Sequence, residues 1–309
     1  MNALRFVGQP GHVESYFLRL NAPGRPRAAW IKLTVLAPLQ GEPCLETWFV
    51  AFDGDRHWGR RERVPFVQPG VPLAVHGYRL DLDGGHVAGR CGPFAFDLRY
   101  TAEGAPLSIF PFEWMYTAGF PRSKLLTPVP SARFSGWVEV DGERWPVEGW
   151  RGMQGHNWGK EHAPAYAWGQ CAFDDGAIVE GFSGKIRLGG RLSPWISALV
   201  VRRGEREYRW NAIVDLWRQE ATVGDSRWTL SMRGGDGEVR LRMDMAGRAA
   251  ACLGYENPDG RVAYCINSKL ADTLLEVRPR HGEPFHCQSA HGGALEFLRG
   301  EPLAGAEVI

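Results

Sequence analysis

Side chains able to do chemistry are densest between Trp150 and Cys171. Within these 22 residues the chain carries Trp150, His156, Asn157, Trp158, Glu161, His162, Trp168 and Gln170, interleaved with four glycines and one proline. Polar groups this close to large rings are costly to bury unless hydrogen-bonded. The stretch is therefore either a satisfied Trp–His–Asn network at a barrel corner or the floor of a pocket. As a floor it has the parts for adding water or a phenol across an isolated C=C. That reaction begins by protonating carbon and needs a proton donor, aromatic faces for the cation and a dry site. His156 and Glu161 are the candidate donors, with Asn157 beside them; Trp150, Trp158 and Trp168 are the candidate faces. Asn157 and Gln170 can orient a carbonyl or hydroxyl. A carboxyl group in an apolar pocket would have its pKa raised toward neutrality, as such an acid requires. A pericyclic ring closure would need only shape and one hydrogen bond.

The elements that must position these groups read as strands. Phe94, Phe96, Leu98 and Tyr100 alternate with Asp97 and Arg99, and Val239, Leu241, Met243 and Met245 alternate with Arg240, Arg242 and Asp244. Each pattern predicts a sheet with one apolar and one wet face. Trp48 to Phe52 is apolar on both faces and should be covered on both. Asp-Gly pairs at 53–54, 83–84, 141–142, 175–176 and 259–260 supply the positive φ of tight turns. This rhythm predicts an all-β chain of antiparallel sandwiches or barrels with very little helix. The Pro-broken stretch from Leu107 to Pro130 reads as a connection between two β units, 1–127 and 128–309, the second carrying the His156 segment.

Register decides where Glu180 points. A two-residue turn at Asp175-Gly176 sets it opposite Cys171, away from Trp168 and Gln170; a three-residue loop, Asp174 to Gly176, pairs it with Gln170. In the N-terminal half, Lys32 lies among apolar neighbours, so its ammonium must snorkel outward or find an acid such as Glu14 or Glu46, or else it lines a pocket at the junction of the units. Trp114 and Tyr116, in the aromatic connector Phe110 to Phe120, can close such a junction.

Composition narrows the function classes. The chain has 309 residues, 44 % hydrophobic, with 36 Lys and Arg against 35 Asp and Glu, a formal net charge of +1. No basic block supports a nucleic-acid surface. The apolar run Trp195 to Val201 is too short to span a bilayer. Gly8 and Pro10 interrupt the start before a signal-peptide core, so the expected location is the cytoplasm. Six scattered cysteines read as buried thiols. No glycine-rich phosphate loop or Gly-x-Ser-x-Gly elbow occurs, and the five-residue steps of His281, His286 and His291 alternate faces of a strand, so no metal site is expected.

His156-Asn157-Trp158-Gly159, then Pro164, then Trp168-x-Gln170-Cys171, resembles the corresponding segment of tocopherol cyclases. It is also similar to the motif of the carotenoid 1,2-hydratase and AttH-like group, to which fungal Diels–Alderase-type cyclases are related. The Gly136–Gly142 hairpin and the Asp175–Glu180 strand fit the same context. Gly155 stands where many hydratase-like members carry an acid. The resemblance implies two lipocalin-like units packed in tandem and an apolar isoprenoid or polyene substrate. It implies cyclisation, hydration or isomerisation without a nucleotide or redox cofactor. A non-catalytic carrier or sensor of a hydrophobic ligand is the alternative, and a filled structural scaffold the third.

Overall fold

The alternating runs form antiparallel strands; strand accounts for 64 % of the described residues and helix for 3 %, as the sequence pattern leads one to expect. The computed structural model describes residues 1–68, 70, 73–75, 77–188 and 190–309, with backbone alone at 188 and 216.

The first sheet begins with four strands, β1 (His12–Asn21), β2 (Arg27–Ala37), β3 (Cys44–Asp53) and β4 (Arg56–Pro65). It continues through β5 (Leu73–Val75), β6 (Tyr78–Asp81), β7 (His86–Cys91) and β8 (Phe94–Ala102). The short β9 (Leu107–Ser108) and the long hairpin β10 (Ser123–Val140) and β11 (Glu143–Gly159) complete it. Its order is β4-β3-β2-β1-β11-β10-β8-β7-β6-β5, with β9 on β10. Asp141 and Gly142 both have positive φ, 52° and 77°, the twist that lets two residues turn β10 into β11.

The second sheet opens with β12 (Ala165–Ala172) and β13 (Ile178–Lys185), followed by a small separate hairpin, β14 (Arg187–Leu188) and β15 (Arg191–Leu192). Then come β16 (Ile196–Arg203), β17 (Arg206–Trp210), β18 (Gln219–Val223), β19 (Arg227–Gly234) and β20 (Gly237–Asp244). The last strands are β21 (Ala251–Glu256), β22 (Val262–Pro279) and β23 (Phe285–Arg299). The order is β17-β16-β13-β12-β23-β22-β20-β19-β18, with β21 on β22. Two 3-10 turns, Glu113–Tyr116 and Ile213–Trp217, are the helical pieces among the described residues.

Each sheet curls into a half-barrel around its own apolar core. Tyr16, Ile31, Phe49, Phe96, Phe134 and Trp150 belong to the first core; Val179, Leu199, Trp228, Met243 and Phe297 belong to the second. A third cluster, with Phe17, Trp30, Trp48, Met153, Trp168, Tyr255 and Leu270, lies where the two half-barrels back onto each other. β1 is buried along its whole length, and Trp48 to Phe52 is covered on both faces.

The sheets part between Gly159 and Ala165. The expected boundary after residue 127 falls inside β10, and the His156 segment belongs to the first sheet. The physical reason is pairing: β11 runs antiparallel to β1 from Val13↔Gly159 to Asn21↔Arg151. The prolines that suggested a boundary instead mark irregular backbone within one sheet. Pro128 and Pro130 lack an N–H, and β10 shifts register against β11 between Leu126 and Ala132.

Candidate functional site

Alternation along β11 points Trp150, His156 and Trp158 into the first half-barrel, whereas Met153 and Gly155 face the second sheet. Trp168, Gln170 and Glu180 come from the second sheet and face the layer between the half-barrels. The residues singled out in the sequence therefore fall into two groups on opposite sides of one sheet.

Inside the first half-barrel, His156 is fully buried and both ring nitrogens are engaged. Nε2 lies 2.8 Å from Glu14 Oε1 and Nδ1 lies 2.9 Å from the Met1 carbonyl. The ring stacks on Tyr16 at 4.3 Å and leans on Trp158 at 4.8 Å. Glu14 also accepts from the Tyr16 hydroxyl at 2.8 Å and from the backbone N–H groups of Arg5 and Phe6, with His12 at 3.0 Å. Burial alone would raise this carboxyl's pKa, but hydrogen bonds from His12, His156 and the Arg5 backbone pull it down to about 2. Glu14 thereby anchors an N-terminal strap, Met1 to Phe6, across the end of the half-barrel. A cleft of about 460 Å³ opens beside it, walled by Met1, Asn2, Asp83, Tyr100 and Val129 and by none of the expected site residues.

Glu161 lies at the rim in ion pairs with Arg122 at 2.6 Å and Arg261 at 3.5 Å. It is not a carboxyl in an apolar pocket. Asn157 is half-buried, and its Oδ1 has no hydrogen-bond partner among the described residues. Trp150 packs in the first core, and Trp158 carries the Arg5 guanidinium 5.0 Å from its ring centre. A side chain at Gly155 would collide with the Phe17 ring.

The layer between the half-barrels holds the carboxyl the chemistry asks for. Phe173 and Ala177 close the three-residue loop Asp174 to Gly176, so Gln170 pairs with Glu180, the second of the two possible registers. Glu180 is fully buried. Its Oε1 accepts from the Thr127 hydroxyl at 2.8 Å and from the Trp168 indole N–H at 3.2 Å, while Oε2 has no hydrogen-bond partner among the described residues. Burial raises its pKa to about 7, against the opposing pull of those two hydrogen bonds and of Arg19. Arg19 is itself buried and donates to Gln170 Oε1, to Asn21 Oδ1 at 2.7 Å and to the Gly292 carbonyl at 3.0 Å. Desolvation lowers its pKa to about 10.

Further along this layer, Lys269 pairs with Glu296 at 2.6 Å, and Asn267 donates to the same oxygen. Lys32 has no carboxylate within ion-pair distance among the described residues, contrary to the expected pairing with Glu14 or Glu46. Its ammonium rests 3.7 Å from the Tyr255 ring centre, near Trp30 and Trp48. Desolvation lowers its pKa to about 8. The indole N–H groups of Trp30 and Trp48 are buried without hydrogen-bond partners among the described residues.

The connector between β8 and β10 lies over the Glu180 end of the layer. Phe110, Leu125 and Phe182 pack there with Leu107, Ile109, Ala198 and Val200. The Tyr116 hydroxyl accepts from the Phe110 N–H at 3.2 Å, and its phenol pKa is raised first by burial and also by the nearby Glu180 charge. Trp114 stands outside, about half exposed, stacked on Phe112. Arg19, Thr127, Lys269 and Glu296 were missed in the sequence. The available signal was a charge set within an apolar strand, as in Phe17-Leu18-Arg19-Leu20.

No family model matches the chain. Two uncharacterized proteins of Mycobacterium tuberculosis are each 28 % identical to it over 284 residues, spanning 90 % of this chain and 84 % of theirs. Among solved structures, an AttH-like protein of Nitrosomonas europaea aligns with TM-score 0.54 and 13 % identity over 94 % of this chain and 92 % of its own. Kievitone hydratase from Nectria haematococca aligns at 0.56 with 11 % identity, and CghA with Sch210972 at 0.61 with 12 %. Both cover 94 % of this chain and 89 % of their own. These likenesses carry the fold, not the reaction. The protein shares the fold of these three structures, the AttH-like protein among them.

Proposed function

We propose that the protein is a cofactor-independent enzyme that takes an apolar, isoprenoid or polyene-type small molecule between its two half-barrels. On this reading Glu180 protonates a C=C to begin hydration, cyclisation or isomerisation. The observation that carries the reading is the Glu180 carboxyl, buried, pushed up to about 7 and free at one oxygen. Buried titratable groups with shifted pKa values are enriched at functional sites.

In this mechanism the Glu180 O–H bond breaks as a C–H bond forms, leaving a carbocation and a carboxylate. Arg19 and the donors Thr127 and Trp168 stabilise that carboxylate. Trp168 turns its N–H edge to Glu180 and carries Lys269 over its ring, which leaves Phe182 as the aromatic ring for the cation. Water then adds to the cation and returns a proton to Glu180, giving net hydration. Capture by a hydroxyl of the same molecule gives a ring, and loss of a different proton gives an isomer. Tyr116 and Phe110 close the Glu180 end, with Trp114 outside them. His156 and Glu161, the donors expected from the sequence, are left with structural roles.

The tocopherol cyclase resemblance bears on this proposal through its isoprenoid substrate class alone. The named hydratase activity of the Nectria haematococca neighbour is consistent with the reading. Six free thiols fit the cytoplasm as the working compartment. The experiment is to incubate the protein and its Glu180→Gln variant with a panel of prenylated phenols and polyenes. Products would be followed by mass spectrometry for gain of water or for an isomer of unchanged mass. Turnover by the natural protein and none by Glu180→Gln supports the reading; equal turnover overturns it.

The scaffold reading is favoured by one observation: Trp30, Trp48 and Lys269 fill the layer to near-complete burial. Freshly purified protein that carries no small molecule in native mass spectrometry and turns over none of the panel would support it.

A further inference from the structure

Around the Glu180 end, several segments present large apolar side chains to solvent while holding one another by hydrogen bonds. Arg209 Nη1 donates to the Ser108 carbonyl at 2.8 Å and Asn211 Nδ2 to the Ile109 carbonyl at 2.9 Å, tying the connector to the start of the second 3-10 turn. Gln219 Nε2 donates to the Trp195 carbonyl at 2.9 Å, tying the end of that turn to the β15–β16 loop. Phe110 meets Phe182 at 6.1 Å. On this rim Trp217 is 88 % exposed, with Ile213, Val214, Leu192, Phe112 and Trp114 also exposed. Isolated exposed apolar residues need no explanation, but several on linked segments do.

Basic charge predominates on the same rim, where Glu113, between Phe112 and Trp114, and Glu220 are exposed acids. From Gly181 to Gly204 the chain carries Lys185, Arg187, Arg191, Arg202 and Arg203 and no acid. Arg202 and Arg203 have acidic partners, and Lys185 lies over the Trp195 ring at 4.6 Å. Arg187, Arg191 and Arg218 are exposed and have no carboxylate partner among the described residues. The acid of the 3-10 turn, Asp215, is buried and caps the turn through the Ala212 N–H at 3.0 Å. Trp, Ile and Val side chains bordered by unpaired arginines suit the boundary between acyl chains and anionic headgroups.

We infer that this rim docks the protein reversibly on an anionic phospholipid surface, with Ile213, Val214 and Trp217 entering the headgroup boundary and Arg187, Arg191 and Arg218 meeting phosphates. No helix among the described residues is long and apolar enough to cross a membrane, and docking requires none. The surface goes beyond the proposed reaction and stands without it. It would also bring the connector over Glu180 to the phase in which an apolar molecule is dissolved.

The test is flotation of the full chain with phosphatidylcholine vesicles, with and without phosphatidylglycerol. The natural protein floats with the phosphatidylglycerol vesicles. Ile213→Ser with Trp217→Ser lowers the partition constant about tenfold or more, from the apolar area withdrawn. Arg187→Ser with Arg191→Ser removes the preference for anionic lipid and leaves thermal unfolding unchanged. No flotation with either vesicle, or flotation indifferent to both variants, overturns the proposal. So does a dimer in solution that Trp217→Ser dissociates, because the patch would then be covered by a second copy. None of these outcomes depends on turnover, so this proposal and the enzymatic reading fail separately.

Discussion

Glu14 and Glu180 are both fully buried carboxyl groups, one inside the first half-barrel and one between the two, and they have opposite fates. Glu14 is surrounded by two imidazoles, a phenol and two backbone N–H groups, and its pKa falls to about 2. Glu180 accepts two hydrogen bonds through a single oxygen, and its pKa rises to about 7. Burial penalises both; the number of donors decides the outcome. A satisfied carboxylate is architecture, and an under-satisfied one retains a proton it can give away.

The sharpest way to break this contrast is to remove each acid in turn. Glu14→Ala leaves two buried histidines facing empty space and releases the N-terminal strap. We expect a loss of about 3–5 kcal/mol, the cost of breaking a buried ionic network, measured by urea unfolding. Glu180→Gln should act in the opposite direction. Its folded pKa of about 7 lies above the ordinary 4.5, so the folded state binds the extra proton between those values. Stability contributed by this group is full below 4.5 and is lost as pH rises through 7, by about 3 kcal/mol at most. At about pH 8 the Gln variant should therefore unfold at higher temperature than the natural protein while losing turnover. A variant equally or less stable at that pH would weaken the contrast.

Glu14 titrates with the other sign. Its folded pKa lies below the ordinary value, so its contribution is present above 4.5 and disappears as pH falls toward 2. Hydrogen exchange at the Arg5 and Phe6 amides should accelerate in that acid window ahead of exchange in β22. A smaller effect is expected from His156→Ala, a loss of about 2–3 kcal/mol from the vacated space and the unmet Glu14 oxygen. The smallest is Glu161→Gln, within about 0.5 kcal/mol because its ion pairs are at the surface, with turnover intact.

Much of the fold was legible because it rests on local periodicity. Phe94 to Tyr100 and Val239 to Met245 alternate in the structure as they do in the sequence, and the Asp141-Gly142 turn sits where its φ requirement put it. The site was legible only in part. Trp168, Gln170 and Glu180 share a face once loop length fixes the register, but His156 meets a carboxylate 142 residues away, a pairing no local pattern encodes. A separation of 151 residues likewise hides Arg19 beside Gln170. The prolines from 106 to 130 misled for a physical reason, since irregular backbone marks a bulged strand as readily as a linker.

Infrared titration of the buried carboxyl tests the central claim most directly. Compared with Glu180→Gln, the natural protein should show one additional protonated-carboxyl band that persists to near neutral pH and disappears with a midpoint of about 7. A Glu180 band already lost by about pH 5 would contradict the account and return this residue to the same structural class as Glu14.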